Sequence, residues 1–320
     1  MTAAVALLGA HGFIGSAIAR SLRETDVEHV DVPSPRMGTP ARDWETLLTS
    51  AAQDDGQVHR LSAQLTGCRV AINAAGVASA TERASNELYG ANSLLPLILA
   101  RACEVAGIQR LVHVSSAAVQ GRRAVLDEAT EAAPLSPYAA SKALGERAVL
   151  SVAGALQVVA YRPTSVHGLD RSMTQRLTRL ARSPLSSVAG AGTDPTPQVL
   201  VENVANAICF VALQAWRPPP VVLHPSEGWT TSSILEHFGC GRRPHRLPRA
   251  LAQALIGAGG VVGRMSPAVS ANVRRVELLW LGQHQDTGWL PGQGWTPPVG
   301  LDGWRRLAHG ERATATRGSK

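Results

Sequence analysis

The chain has 320 residues, 45% hydrophobic and 17% charged, enough to bury a sizeable core and too ordinary for a disordered or fibrous protein. Its net charge is +7, yet the arginines are spread along the chain and no aromatic-basic module appears, so the expectation is an anionic small molecule in a basic cleft and no nucleic-acid partner. No apolar run approaches the roughly 18 residues of a membrane span, so no membrane partner is expected; the longest, LAQALIGAGGVVG over 251–263, is short and rich in glycine.

The N-terminus, MTAAVALLGAHG, has neither a basic leader nor a cleavage site, so no secretory signal is expected. Cys68, Cys103, Cys209 and Cys240 are scattered without a CxxC pair. That pattern fits a reducing cytoplasm and offers no metal site. Of 31 basic residues 29 are arginine and two are lysine, and the only internal lysine is Lys142.

In chain order, AAVALLG (3–9) predicts a strand and FIGSAIARSLRE (13–24) a helix with apolar residues at helical spacing. VEHVDV (27–32) predicts a second strand. Within 33–67 only ARDWETLLTSAAQ (41–53) reads as helical, and no strand is visible before CRVAINAAG (68–76). A long helix over NSLLPLILARACEVAG (92–107) follows, then a strand QRLVHVSS (109–116), a helix SPYAASKALGERAVLSVAG (136–154) and a strand LQVVAYRP (156–163). Near-continuous apolar strands alternating with helices predict an α/β fold, a doubly wound parallel sheet of Rossmann type covered on both faces. After residue 165 the elements shorten, and five of the seven tryptophans lie between 229 and 304. The expected organisation is a dinucleotide-binding domain over 1–165, a smaller α/β substrate domain over 166–308 interwoven with it, and a flexible polar tail over 309–320.

GAHGFIG (9–15) sits between a strand and a helix, the context in which a glycine turn cradles a phosphate. Glycine at Gly9 permits a tight turn, at Gly12 lets a pyrophosphate approach backbone N–H groups, and at Gly15 lets helix and strand pack closely. Phe13 and Ile14 open the helix, whose N-terminus faces the phosphates. His11 reads as an exposed turn residue.

SPYAASK places Tyr138 and Lys142 four apart, on one helical face. Ser136 suits the N-cap and Pro137 the first helical position, so Tyr138 lies in the first turn. An ammonium group and the helix dipole there are expected to lower the tyrosine toward use as a base. Upstream, VHVSSAAVQG ends a strand with Ser115 and Ser116, where a hydroxyl meets a ligand at the carboxyl edge of the sheet.

Together these motifs resemble the extended short-chain dehydrogenase/reductase group, the NAD-dependent epimerase/dehydratase family, over nearly the whole chain. GAHGFIG resembles its cofactor turn, and INAAG (72–76), with Ala74, Ala75 and Gly76, the strand end over the cofactor. Asn92 resembles the helix asparagine that steadies the active site, Ser116 the catalytic Ser/Thr, and Tyr138 with Lys142 the YxxxK pair. AYRPTSVHG (160–168), with Pro163 and Ser165, resembles the segment near nicotinamide and substrate; TPQVLVENVANAI and GWTPPVGLDGWRRL (294–307) resemble later family segments. The resemblance implies Tyr138 as general acid/base, Lys142 holding the nicotinamide ribose and depressing the tyrosine, and Ser116 orienting the substrate oxygen.

Coenzyme choice rests on the end of the second strand. Asp31 suits the ribose of NAD; Pro33 in the selecting slot, with Ser34 and Arg36 beyond, leans slightly to NADP. Gln120 and His167 stand where relatives often carry tyrosine, and Ser165 where nucleotide-sugar enzymes often carry asparagine. Ala117 and Ala118 after Ser116 argue against a dehydratase. The leading expectation is 4-keto reduction or epimerisation of a nucleotide-activated sugar, with Arg179, Arg182, Arg274 and Arg275 as substrate-binding residues. A reductase of a lipophilic or steroid-like ketone and a non-catalytic cofactor-binding regulator are the alternatives, and a homodimer stays open.

Overall fold

The computed structural model describes residues 5–78, 83–152, 154–263 and 267–311. Residues 312–320 of the expected tail lie outside the described residues. The first strand, β1 (Val5–Leu8), is buried on both faces and continues through the glycine turn into α1 (Phe13–Glu24). After β2 (His29–Val32) come α2 (Trp44–Ala52) and α3 (Asp55–Leu65), then β3 (Val70–Asn73). Asp43 caps α2 by accepting from the Thr46 N–H at 2.9 Å. The helix expected over 41–53 is therefore present, α3 is additional, and β2 is left as the outer strand of the sheet.

Next come α4 (Asn86–Tyr89), a π turn over Gly90–Leu94 and α5 (Leu95–Val105). Pro96 has no N–H with which to reach the carbonyl of Asn92, which explains why the helix expected over 92–107 starts with a widened turn. The freed Asn92 carbonyl lies where a side chain on Gly145 would stand. The chain continues through β4 (Arg110–Val114), β5 (Val125–Leu126), α6 (Pro137–Leu150) and β6 (Gln157–Arg162).

Beyond residue 165 lie β7 (Ser165–His167), α7 (Ser172–Arg182), β8 (Ser187–Ala189), β9 (Gln198–Leu200), α8 (Val201–Leu213) and β10 (Val221–Leu223). Then follow α9 (Thr231–Phe238), β11 (His245–Leu247), α10 (Arg249–Gly263), α11 (Pro267–Leu281), β12 (His284–Gln285) and α12 (Leu301–His309).

Six parallel strands form the central sheet in the order β10-β6-β4-β3-β1-β2. Strand alternation splits β1 between two cores. Ala6 and Leu8 face the layer that includes α3, α5 and α6, while Val5 and Leu7 face α1 and α8. The sheet is thus covered on both sides, as its apolar strands require. α8 and β10 return to these layers, so the chain after residue 165 is shared between the sheet and a second unit. That unit has its own core, in which Trp229, Ile234, Phe238 and Trp304 meet between α7, α9 and α12.

Candidate active site

The strand order reverses beside β1, whose neighbours are β2 and β3. Crevices at such a reversal, outside the carboxyl ends of the strands, are where open α/β sheets take ligands. Gly9 leaves β1 at φ +80°, and a Cβ on it would stand 2.5 Å from the Ala75 nitrogen. A Cβ on Gly15 would collide with the Gly9 carbonyl. These two glycines are required by the backbone. Gly12 adopts ordinary extended geometry and caps α1 without a side-chain hydrogen bond. The first-turn N–H groups at Phe13 and Ile14 have no intrahelical acceptors and are available as donors. His11 is exposed.

The loop after β3 forms the facing wall. Asn73 is fully buried, and its Oδ1 accepts from the Ala75 N–H at 3.1 Å. Asn92, also buried, accepts from the Val77 N–H at 2.9 Å and donates to the Val77 carbonyl at 3.0 Å and the Ser141 hydroxyl at 3.0 Å. The π turn therefore clamps this loop to α6. A Cβ on Gly76 would lie 2.7 Å from Asn92 Oδ1 and 3.0 Å from Lys142 Nζ, so only glycine passes between them.

Ser136 caps α6 by accepting from the Ala139 N–H at 3.2 Å, with Pro137 in the first position. Tyr138 follows in the first turn and Lys142 one turn later. The Lys142 ammonium is buried and donates to the Val114 carbonyl at 3.0 Å. Burial brings Lys142 down to about 8, against the pull of Glu146. Tyr138 does not follow the sequence expectation of a lowered value. Burial raises it above the ordinary tyrosine range, while the charge of Arg171 and the Ser116 hydroxyl pull it back. Both groups stand in one desolvated wall, and loss of water penalises the charged form of each. The cation acting on the phenol is Arg171, whose guanidinium lies 4.9 Å above the Phe13 ring.

Several residues of this wall were not singled out by the sequence. Glu146, one turn beyond Lys142, accepts from Ser115 Oγ at 2.6 Å and from Arg162 Nε at 3.1 Å, and pairs with the Arg162 terminal nitrogen as well. Arg162 is fully buried and also donates to the Ala129 carbonyl at 2.7 Å. His113 is buried with Nδ1 3.1 Å from Asn73 Nδ2. Burial, then the Lys142 charge, hold it well below its ordinary value, so it is neutral. The signal for Glu146 was present as a third residue at four-residue spacing; Arg171 has no comparable signal.

A cleft of about 310 Å³ opens beside Tyr138 and Ser116. Ser165, Thr164 and Gln198 line it, together with Arg122, Arg274 and Arg275. Arg274 donates to the Gly121 carbonyl at 2.9 Å, and both Arg274 and Arg122 lie 3.1 Å from Glu277. Pro163 is buried and its carbonyl accepts from the Ala117 N–H at 2.9 Å.

Arg179 and Arg182 do not line this cleft. Arg179 is exposed and bonds its own helix, and Arg182 donates to the carbonyls of Phe238 and Ala308, tying α7 to α9 and α12. Gln120 is a buried strut, its amide donating to Asp127 at 2.6 Å. His167 stands behind the cleft, 2.6 Å from Gln198 Oε1 and 3.1 Å from Thr174 Oγ1, and burial lowers it to about 4. Asp31 and Arg36 are both exposed, Asp31 lying 3.8 Å from His29. Among the described residues no group of three or more His, Cys, Asp or Glu could hold a metal ion.

Known proteins resemble this chain in sequence and in fold. In sequence, human 3 beta-hydroxysteroid dehydrogenase type 7 is 31% identical over 181 residues, covering 50% of this chain and 49% of the relative. The 2-alkyl-3-oxoalkanoate reductase of Stenotrophomonas maltophilia (strain K279a) is 33% identical over 126 residues, covering 37% of this chain and 38% of the relative. The chain thus spans about half the length of the first relative and less of the second. In structure, human epimerase family protein SDR39U1 with NADPH superposes with a TM-score of 0.65 at 22% identity, covering 95% of this chain and 99% of that one. MoeE5 in complex with UDP-glucose and NAD gives 0.63 at 23% identity, covering 96% and 98%. The NAD dependent epimerase/dehydratase family matches over residues 5–222. With the glycine turn, the asparagine clamp and the Ser116, Tyr138 and Lys142 wall all inside that span, the chain belongs to the NAD dependent epimerase/dehydratase family.

Proposed function

We propose that this chain is an NAD(P)-dependent oxidoreductase-type enzyme acting on a nucleotide-activated sugar by 4-keto reduction or epimerisation. The observation that carries the reading is one cleft holding both the Tyr138 and Ser116 hydroxyls and three arginines, Arg122, Arg274 and Arg275. Glu277 is shared between two of them, which leaves the rim basic. A pyrophosphate suits such a rim. MoeE5, similar in fold, is described with UDP-glucose.

The residues present fit a dinucleotide. The uncapped start of α1 offers N–H donors to a pyrophosphate, and the slot at Gly76 admits no side chain. On this reading Gly9, Gly12, Phe13, Ile14 and Gly15 hold the pyrophosphate. Ala74, Ala75, Gly76, Asn92, Lys142 and Pro163 line the nicotinamide end. Asp31 and Arg36 border the adenosine ribose, with the lean toward NADP kept. Nicotinamide, when bound, supplies or accepts the hydride. Ser116 Oγ hydrogen-bonds the substrate oxygen, and Tyr138 Oη gives a proton to that oxygen during reduction or takes it during oxidation. The raised Tyr138 keeps its proton at neutral pH and is set as the acid of a reduction. The substrate unit is 166–308, less α8 and β10, which serve the sheet. Four unpaired cysteines are compatible with a cytoplasmic enzyme.

A second reading, reduction of a lipophilic ketone, is favoured by Leu126, Leu135 and Leu278 in the same cleft and by the two relatives in sequence. NAD(P)H consumption with nucleotide 4-keto sugars, 3-oxo acids and steroid ketones separates the two. Turnover of the sugars is expected. Tyr138→Phe should lower kcat by about 10²–10⁴-fold while leaving cofactor affinity intact. Arg274→Ala with Arg275→Ala should raise KM for the anionic substrate about tenfold or more at similar kcat. Unchanged turnover in the first variant removes the mechanism, and unchanged KM in the second removes the anionic substrate.

A further inference from the structure

α10 carries only two polar side chains, Arg249 and Gln253. A helix apolar nearly all round belongs inside a core. Here only Ala252 and Gly263 are buried, and α11 is the main neighbour. Leu251, Leu255 and Val262 follow one stripe, exposed by 47%, 49% and 56%, with Val261 beside them at 61%. Exposed apolar stripes of this kind mark a surface that is covered in use.

The charge of the same region is one-sided. Residues 237–276 hold seven arginines and no aspartate or glutamate, while the rest of the chain holds 24 basic and 24 acidic residues. The entire net charge of the protein therefore resides on this stretch. Arg243, Arg249 and Arg274 reach carboxylates outside it, Glu236, Asp194 and Glu277. Arg242 and Arg246 are exposed in the turn and strand just before α10.

We propose that the exposed face of α10 is a docking surface for an anionic lipid bilayer. The stripe on α10 enters the boundary between headgroups and acyl chains, and the arginines meet the anionic headgroups. Charge complementarity selects this occupant over a second copy. A two-fold contact would set the same net-basic surface against itself, with Glu277 the one acidic side chain in the sequence of α10 and α11. Among the described residues no helix is long and apolar enough to cross a membrane, and surface attachment needs none. Arg274, Arg275 and Leu278 belong to both α11 and the cleft, so docking sets the cleft mouth at the lipid surface. The proposal is independent of the reaction assigned above.

Vesicle flotation of the full chain tests it, with phosphatidylcholine alone and with phosphatidylcholine containing phosphatidylglycerol. The protein should float with the anionic vesicles only, and binding should fall at high salt. Leu255→Asp with Val262→Asp should cut the bound fraction about tenfold, since burying a charge among acyl chains is costly. Arg242→Gln with Arg246→Gln should cut it on anionic vesicles by a smaller factor. All four positions are exposed, so the melting temperature should hold in both variants and reports that folding is intact. Failure to float, or equal flotation of the aspartate variant, overturns the proposal. A dimer in light scattering that the aspartate variant dissolves, without vesicle binding, assigns the face to a second copy and overturns it equally.

Discussion

Lys142 pays for its position. Its ordinary value is 10.5 and burial brings it to about 8, a penalty on the order of 3 kcal/mol while the ammonium is charged. Below about 8 both folded and unfolded chains hold the proton, so the penalty is fully present. Between there and the unfolded value the folded chain has released a proton that the unfolded chain keeps, and stability rises with pH. Lys142→Met should therefore stabilise the cofactor-free protein at neutral pH by about 1–2 kcal/mol, the lost hydrogen bond to Val114 taking back part of the gain. The gap between the two proteins should close as the pH is raised through 8 toward 10.5, as urea unfolding at stepped pH will show. Activity should be lost throughout, a trade of function against stability. Tyr138 and Lys142 were legible because their spacing is a helical one and lysine is otherwise nearly absent. The rest of the wall was not. Glu146 carries only its four-residue spacing from Lys142, Arg162 reads as one arginine among 29, and Arg171 gains its meaning only when its loop closes over Phe13.

At the scale of elements, the glycine turn separates two kinds of requirement. Gly15→Ala would push a methyl group into the Gly9 carbonyl, and Gly9→Ala would add strain at positive φ to a contact with Ala75. Each should cost about 2–3 kcal/mol or more of stability. Gly12→Ala meets only the Gly9 carbonyl at 3.2 Å in ordinary backbone geometry. It should cost less than about 1 kcal/mol yet weaken coenzyme binding, because on the proposed reading the pyrophosphate approaches the backbone at Gly12. Urea denaturation beside coenzyme titration distinguishes the three. Strands and most helices of the first half were legible from apolar runs and periodicity. The π turn was hidden because Pro96 looks harmless near a helix start, and its effect depends on which carbonyl it leaves unpaired. α3 was missed although Val58, Leu61 and Leu65 recur at helical spacing in DGQVHRLSAQL, the face that packs toward α5.

The whole molecule joins a three-layer sheet to a smaller unit with its own core. Shorter elements and tryptophan enrichment after residue 165 led to the expectation of a second domain interwoven with the first. Which elements return to the sheet, α8 and β10, was not legible, since an apolar helix and strand carry no label for the layer they join. The tryptophans have a further consequence. Trp229 and Trp304 lie with ring centres 5.1 Å apart, and Trp304 is 5.5 Å from His167, which in turn holds Gln198 of the cleft. Indole emission overlaps the absorption of reduced nicotinamide and not that of the oxidised form. With coenzyme bound as proposed, the substrate half would act as a set of built-in energy donors for a redox-sensitive acceptor. Titration with the reduced coenzyme should quench the emission and sensitise nicotinamide fluorescence, while the oxidised coenzyme should leave it nearly unchanged. The aromatic core that holds the second unit together would then report, without any label, which redox state occupies the first.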